Sequence, residues 1–203
     1  MPVRLIAISA GTYYHIESLE AERYACLFDD VIAPEQLVGA LKPSDCLFVP
    51  CRTPPQRMIG QSSVVAAHLD AGGTVIAMGE SRSDLWAPAI VFHERPTNWW
   101  WWLEPDADLG NRVTAPSHPL MHGIGKDDVT WHLHGHFDVP DGATVLAEDL
   151  AGQAIAYVDD VSTPGRLVVT SLDPMYHHGS HFMPATTRFL DKFLPNLKAW
   201  MNG

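Results

Sequence analysis

The chain alternates short apolar runs with glycine-rich breaks. Val3-Arg4-Leu5-Ile6-Ala7-Ile8-Ser9 reads as a strand, and Ala10-Gly11-Thr12 as the turn that ends it. Glu17 to Phe28 has weak helical character, and Pro34 to Leu41 predicts a short helix with proline in its first turn. Asp45-Cys46-Leu47-Phe48-Val49-Pro50 predicts a buried strand. Gln56 to Asp70 predicts the clearest helix, because Ile59, Val64, Ala67 and His68 recur at helical spacing. Ala71-Gly72-Gly73 stops it. Thr74-Val75-Ile76-Ala77-Met78 is the next strand, ending at Gly79. Strand, helix, strand implies a parallel pair with a right-handed crossover. Strands this continuously apolar imply cover on both faces. Further strands are expected at Asn98 to Leu103, Trp131 to Phe137, Thr144 to Ala147, Ala154 to Val158 and Arg166 to Ser171. Pro184 to Met201 predicts an amphipathic helix with Phe189, Phe193, Leu197 and Trp200 on one side.

The expected architecture is an α/β open sheet in a single domain spanning residues 1–203. Its binding crevice belongs at the carboxyl ends of the parallel strands. Those ends carry Gly11-Thr12-Tyr13, Cys51-Arg52-Thr53, Gly79-Glu80-Ser81-Arg82 and Asp173-Pro174-Met175-Tyr176-His177.

Composition narrows the class. Hydrophobic residues are 46% of 203 and charged residues 18%, so the chain is globular. The net charge of −11, with few and scattered basic residues, argues against a nucleic-acid partner. The first apolar run lacks a secretory cleavage pattern and is too short to span a bilayer, so no membrane partner is expected. Cys26, Cys46 and Cys51 form no CxxC pair and fit a cytoplasmic location, where each is read as a small buried hydrophobe.

The candidate chemistry lies in two histidine groups that hold six of the chain's 11 histidines. If Trp131 to Phe137 is extended, His132, His134 and His136 share one face, about 6–7 Å apart. Neutral imidazole is a favoured zinc ligand. His132, His134, His136 and His178 are therefore candidate ligands for a divalent metal such as Zn, with Gly135 supplying a bend and a further ligand coming from His177, His178, His181 or Asp173. The alternative is a hydrogen-bonded polar cluster lining the crevice. Asp173 and His177 follow the last strand, where Asp orients His in a general-base pair or else starts a turn. Arg52 is placed to fork onto a carboxylate, either a substrate's or that of Glu80. In Thr97-Asn98-Trp99-Trp100-Trp101-Trp102, alternation puts Trp99 and Trp101 on one face and Trp100 and Trp102 on the other. One pair is expected in the core. The other suits a sugar-stacking platform or a homo-oligomer interface. Asn98 is a candidate ligand donor or a strand-entry cap.

Three segments carry a family resemblance. Ala71-Gly72-Gly73-Thr74-Val75-Ile76-Ala77-Met78-Gly79-Glu80 resembles the helix end, strand and sharp turn that present the nucleophile in the class I glutamine amidotransferase-like superfamily. His118-Pro119-Leu120-Met121-His122-Gly123-Ile124 resembles a segment of its ThuA-like (trehalose utilisation) branch, and Gly165 to Leu172 resembles the last strand. The resemblance runs from about Asp45 to the C-terminus. It implies a three-layer, flavodoxin-like, mainly parallel sheet and a carbohydrate-type or other polar small molecule as ligand. It also puts Glu80 where the superfamily carries its nucleophile.

Two departures bear on the reaction. The turn reads Gly79-Glu80-Ser81, with no Cys, and the His-Pro-Glu that completes the amidotransferase dyad is absent. Glutaminase chemistry through a thiolate is therefore not expected. Glu80 is read either as an acid or base with a raised pKa or as a carboxylate favoured by the dipole of a following helix. Ser81 lacks the second glycine of Gly-x-Ser-x-Gly and suits helix capping. The expected enzyme is a hydrolase or isomerase. Its catalytic residues are Glu80, Asp173 and His177, and its substrate-binding residues are Arg52, Asn98, Trp99, His132 and His134. The alternatives are a non-catalytic binding or assembly domain and a His-liganded metal-dependent hydrolase or isomerase.

Overall fold

The computed structural model describes residues 2–104 and 108–203, including the side chains except that of Trp102. Among them, ten strands form one sheet. They are β1 (Leu5–Ile8), β2 (Asp30–Ile32), β3 (Cys46–Val49), β4 (Thr74–Ala77), β5 (Val91–Glu94), β6 (Arg112–Val113), β7 (Gly135–Asp138), β8 (Thr144–Glu148), β9 (Ala154–Asp159) and β10 (Arg166–Thr170). The order is β2-β1-β3-β4-β10-β9-β7-β5, with β8 also on β9 and β6 on β8. From β2 to β10 every pairing is parallel, and β9, β7 and β5 follow antiparallel.

Alternation along the strands builds two apolar layers. Leu5, Ala7, Phe48, Ile76 and Val168 face the closing helix α6 (Pro184–Asn202) through Phe189, Phe193 and Leu197. Ile6, Ile8, Leu47, Val75 and Val169 face Val65 and Leu69 of α4 (Ser62–Asp70) and Met58 of α3 (Pro55–Ile59). Each of these Val, Leu, Ile, Phe and Met side chains stabilises the fold by about 1.5–3 kcal/mol when fully buried. The remaining α-helices among the described residues are short: α1 (Tyr13–His15), which runs on into a π-helical turn at Ile16–Glu20, α2 (Glu22–Ala25) and α5 (Pro174–Gly179).

Register positions the site. Val49 pairs with Ala77, and Ala77 with Val169, so β3, β4 and β10 end level. The backbone bonds continue past the strands, with Arg52 N–H donating to Gly79 O (3.1 Å) and Gly79 N–H to Leu172 O (2.9 Å). Residues 52, 80 and 173 therefore emerge along one edge.

Several elements differ from the sequence reading. The helix expected over Gln56 to Asp70 is broken at Gly60 and Gln61 into α3 and α4. The helix expected from Pro34 shrinks to one 3₁₀ turn, Pro34–Gln36, and the chain reverses at Gly39 with φ of 79°. Asn98 to Leu103 is not a strand. The Asn98 side chain accepts a bond from Trp100 N–H (3.0 Å), and a 3₁₀ turn follows at Trp101–Leu103. The side chain of Trp102 lies outside the described residues. Only the end of Trp131 to Phe137 is strand, from Gly135 onward. Ahead of it, one more backbone bond runs from Arg95 N–H to His134 O (3.0 Å), and side chains take over at the earlier carbonyls. Asn111 donates to the carbonyls of Val129 (2.9 Å) and Trp131 (3.0 Å), and Thr97 donates to Leu133 O (3.0 Å). A Cβ on Gly135 would come within 2.2 Å of His93 O, so glycine is what lets β7 approach β5 here.

Candidate active site

The turn after β4 presents Glu80 at a strained backbone position, φ 57°. Gly79 makes that turn fit: a Cβ there would lie 2.3 Å from Ser171 O. Ser81 Oγ donates to Met78 O (2.6 Å), and Trp86 Nε1 donates to Ser81 O (2.8 Å), which locks the turn from behind. Ser81 is fully buried and spent on that bond, so it neither caps a helix nor faces the crevice. Only a three-residue 3₁₀ turn, Ser83–Leu85, follows. One such turn supplies little dipole, so the helix-dipole reading of Glu80 falls away.

Around Glu80 the site is a chain of charged and ring groups. Glu80 Oε2 lies 2.5 Å from Arg52 Nε, and Glu80 Oε1 lies 3.2 Å from His134 Nδ1. His134 Nε2 faces Asp173 Oδ2 at 3.4 Å. Asp173 is wholly buried, and its Oδ1 lies 3.2 Å from His177 Nε2 and accepts from Trp131 Nε1 at 3.2 Å. Arg52 Nη2 reaches Asp173 Oδ2 at 3.5 Å, while the guanidinium lies over the Tyr176 ring, 3.3 Å from its centre. His177 Nε2 and His132 Nε2 are 3.2 Å apart. Thr97 Oγ1 lies 3.1 Å from His134 Nδ1. His177 Nδ1 is buried with no hydrogen-bond partner.

This environment separates the two carboxylates. Burial pushes the Glu80 carboxyl up, and the nearby Asp173 charge adds to that against the pull of His134 and Arg52. Burial would also raise Asp173, but His134 and His177 beside it hold it well below the usual carboxylate range. Burial pushes His132 down to about 4, partly opposed by Asp173. The two carboxyls are thus pushed in opposite directions, Glu80 up and Asp173 down.

Two hollows flank the group. A cavity of about 240 Å³ is lined by Glu80, Arg82, Arg95, Thr97, His134 and Ser171, among others. A second, of about 500 Å³, is mainly aromatic and takes in Trp99, Trp101, His132, Tyr176, His177 and Phe182. The Trp99 ring packs on His132 and His134, with centroids 4.6 and 5.5 Å apart.

The structure brings together Glu80, Asp173, His177, Arg52, Trp99, His132 and His134. It does not bring in three other candidates. His136 stacks on His93 and contacts Gln153 at 2.9 Å. His178 bonds Thr187 Oγ1 at 2.8 Å. Asn98 is exposed and engaged with Trp100 N–H. The departure of His136 follows from the missing strand, because His132 and His134 precede β7 and do not share its alternation. Trp131, Thr97 and Tyr176 are site residues that the sequence reading passes over. One signal in the sequence does point to the site: Asp173 and His177 stand four apart, a spacing that α5 turns into contact.

No family model matches the chain, and no curated protein matches it. Solved structures do. One, described as a GMP synthase component from Thermoplasma acidophilum, aligns over 100% of this chain and 99% of its own, with a TM-score of 0.58 at 11% identity. An exo-β-1,4-mannosidase from an Opitutaceae bacterium aligns over 98% of this chain and 35% of its own, with a TM-score of 0.48 at 12% identity. The first likeness agrees with the order of the sheet and the layers on its faces. The chain shares with that structure a flavodoxin-like α/β fold, a mainly parallel sheet covered on both faces.

Proposed function

We propose that this protein is an enzyme of the hydrolase or isomerase type, of the ThuA-like branch of its fold, acting on a polar small molecule of carbohydrate type. Glu80 is the catalytic acid or base. The observation that carries this reading is the strained Glu80 turn, which aims a half-buried carboxylate at His134 and Arg52 in front of a buried Asp173. His134 offers one ring nitrogen to each carboxylate. A proton taken from substrate by Glu80 can be passed to His134 and returned, while Asp173 holds the ring in place. Arg52 fixes the Glu80 carboxylate, and Trp99 supplies a face on which a sugar ring stacks.

Thiol chemistry is disfavoured by position. Cys51 is wholly buried, and burial, reinforced by Asp173, pushes its thiol well up. Cys46 is likewise buried and raised.

The test is a turnover screen over sugars, sugar lactones and sugar acids. Wild-type protein is expected to convert at least one, also after cysteine alkylation. Glu80→Gln is expected to lose that turnover while staying folded. Glutaminase activity, or full turnover by folded Glu80→Gln, contradicts the assignment. A thermal shift without turnover on any compound favours a binding domain instead.

A further inference from the structure

We propose that His132, Asp173 and His177 form a binding site for one divalent transition-metal ion of the zinc type, with an open coordination position facing the aromatic crevice. The three side chains are 4%, 0% and 1% exposed, and their ligand atoms all lie within 4.8 Å of one another. The spacing is specific. Bonds of about 2.0–2.1 Å at tetrahedral angles put ligand atoms about 3.3 Å apart. His177 Nε2 lies 3.2 Å from both Asp173 Oδ1 and His132 Nε2. Two nitrogens and one carboxylate oxygen favour a first-row transition ion over Mg²⁺ or Ca²⁺, which take all-oxygen sets.

The surroundings suit a ligand set. Asp173 is held from outside by Trp131 Nε1 (3.2 Å), by His134 Nε2 (3.4 Å) and by Arg52 Nη2 (3.5 Å). His132 and His177 also line the 500 Å³ hollow, so an ion between them would be reachable from it. A second trio, Glu80, His134 and Asp173, is a poorer site. It offers one nitrogen only, and Glu80 Oε2 is already engaged by Arg52 at 2.5 Å. Of the ligands that the sequence offers, the geometry joins His132 with His177 and Asp173. His136 and His178 point elsewhere and serve as controls.

The site shares Asp173 with the Glu80 reading but does not rest on it, because metal uptake is read without any substrate. The experiment uses the full chain without a polyhistidine tag, carrying Cys26→Ser to remove the exposed thiol. After chelator treatment, Zn²⁺ is titrated calorimetrically, bound metals are counted by elemental analysis, and Co²⁺ is added as a spectroscopic probe. The expected result is one ion per chain and the intense visible absorption of four- or five-coordinate Co²⁺ without sulfur ligation. His132→Ala and His177→Ala are expected to weaken binding about 100-fold or more, beyond the 10–100-fold of lost outer-shell groups. His136→Ala and His178→Ala are expected to bind as the parent does. Absence of stoichiometric uptake, a weak octahedral Co²⁺ spectrum, or uptake that survives His132→Ala and His177→Ala overturns the site. If the alanine variants do not fold, the Co²⁺ spectrum of the parent decides alone.

Discussion

Asp173→Asn tests how much the fold depends on the buried anion at the site. Asn keeps the volume and one acceptor oxygen but loses the charge. Four groups now face the carboxylate: Trp131 Nε1 and His177 Nε2 at 3.2 Å, His134 Nε2 at 3.4 Å and Arg52 Nη2 at 3.5 Å. An amide turns its own NH₂ donor toward two of them. Removing one partner of a buried charged pair costs about 3–5 kcal/mol. For a chain of this size each kcal/mol moves Tm by about 2–4 °C, so a fall of about 6–20 °C follows. The assay is urea and thermal unfolding followed by tryptophan fluorescence, in chelator so that metal linkage does not contribute. The variant is expected to unfold at lower urea with an unchanged m-value. A loss under about 1 kcal/mol would mean that Asp173 is solvated or already neutral, and would refute the charge network as described.

Glu80→Gln is expected to be at least as stable as wild type at pH 7–8, with the advantage fading toward pH 4. The folded Glu80 carboxyl is raised, so its protonated form favours the fold and that contribution is lost as pH rises through the folded pKa. Gln removes the dependence, and Tm against pH for both proteins reads it. Gly79→Ala is expected to cost about 1–3 kcal/mol or more, because its Cβ meets backbone 2.3 Å away at Ser171 O; unchanged Tm would contradict the tight turn. Iodoacetamide on native protein is expected to add one carbamidomethyl group by mass spectrometry, at the exposed Cys26, with Cys46 and Cys51 reacting only after unfolding.

Four of the five parallel strands, β1, β3, β4 and β10, are legible in the sequence because they are buried apolar runs ended by turn residues, whereas the short, half-exposed β2 (Asp30–Ile32) is not. Thr74 to Met78 and Arg166 to Ser171 fall within one residue of β4 and β10. The crevice edge follows from those ends, so the pattern alone places Arg52, Glu80 and Asp173 together. The antiparallel half is less readable. β5 (Val91–Glu94) is exposed or half-exposed at every position and pairs only with β7 on the main path of the sheet, and its apolar lead-in is broken by Pro88 and ends in His93-Glu94. The tryptophan run has strand composition, yet the Asn98 side chain makes a turn of it. His136 is misgrouped by spacing for a related reason: alternation holds only inside a ladder, and the bonds from Asn111 and Thr97 to the preceding carbonyls cannot be read from spacing.

The most direct test of the central claim follows the Glu80 carboxyl itself. With ¹³C-carboxyl-labelled glutamate, the resonance missing in Glu80→Gln identifies it, and its shift is followed from pH 3 to 9 in chelator. The predicted midpoint lies above the ordinary glutamate value of about 4.3. A midpoint at or below that value would leave Glu80 an ordinary ion-paired carboxylate, and would contradict its assignment as the proton-exchanging group.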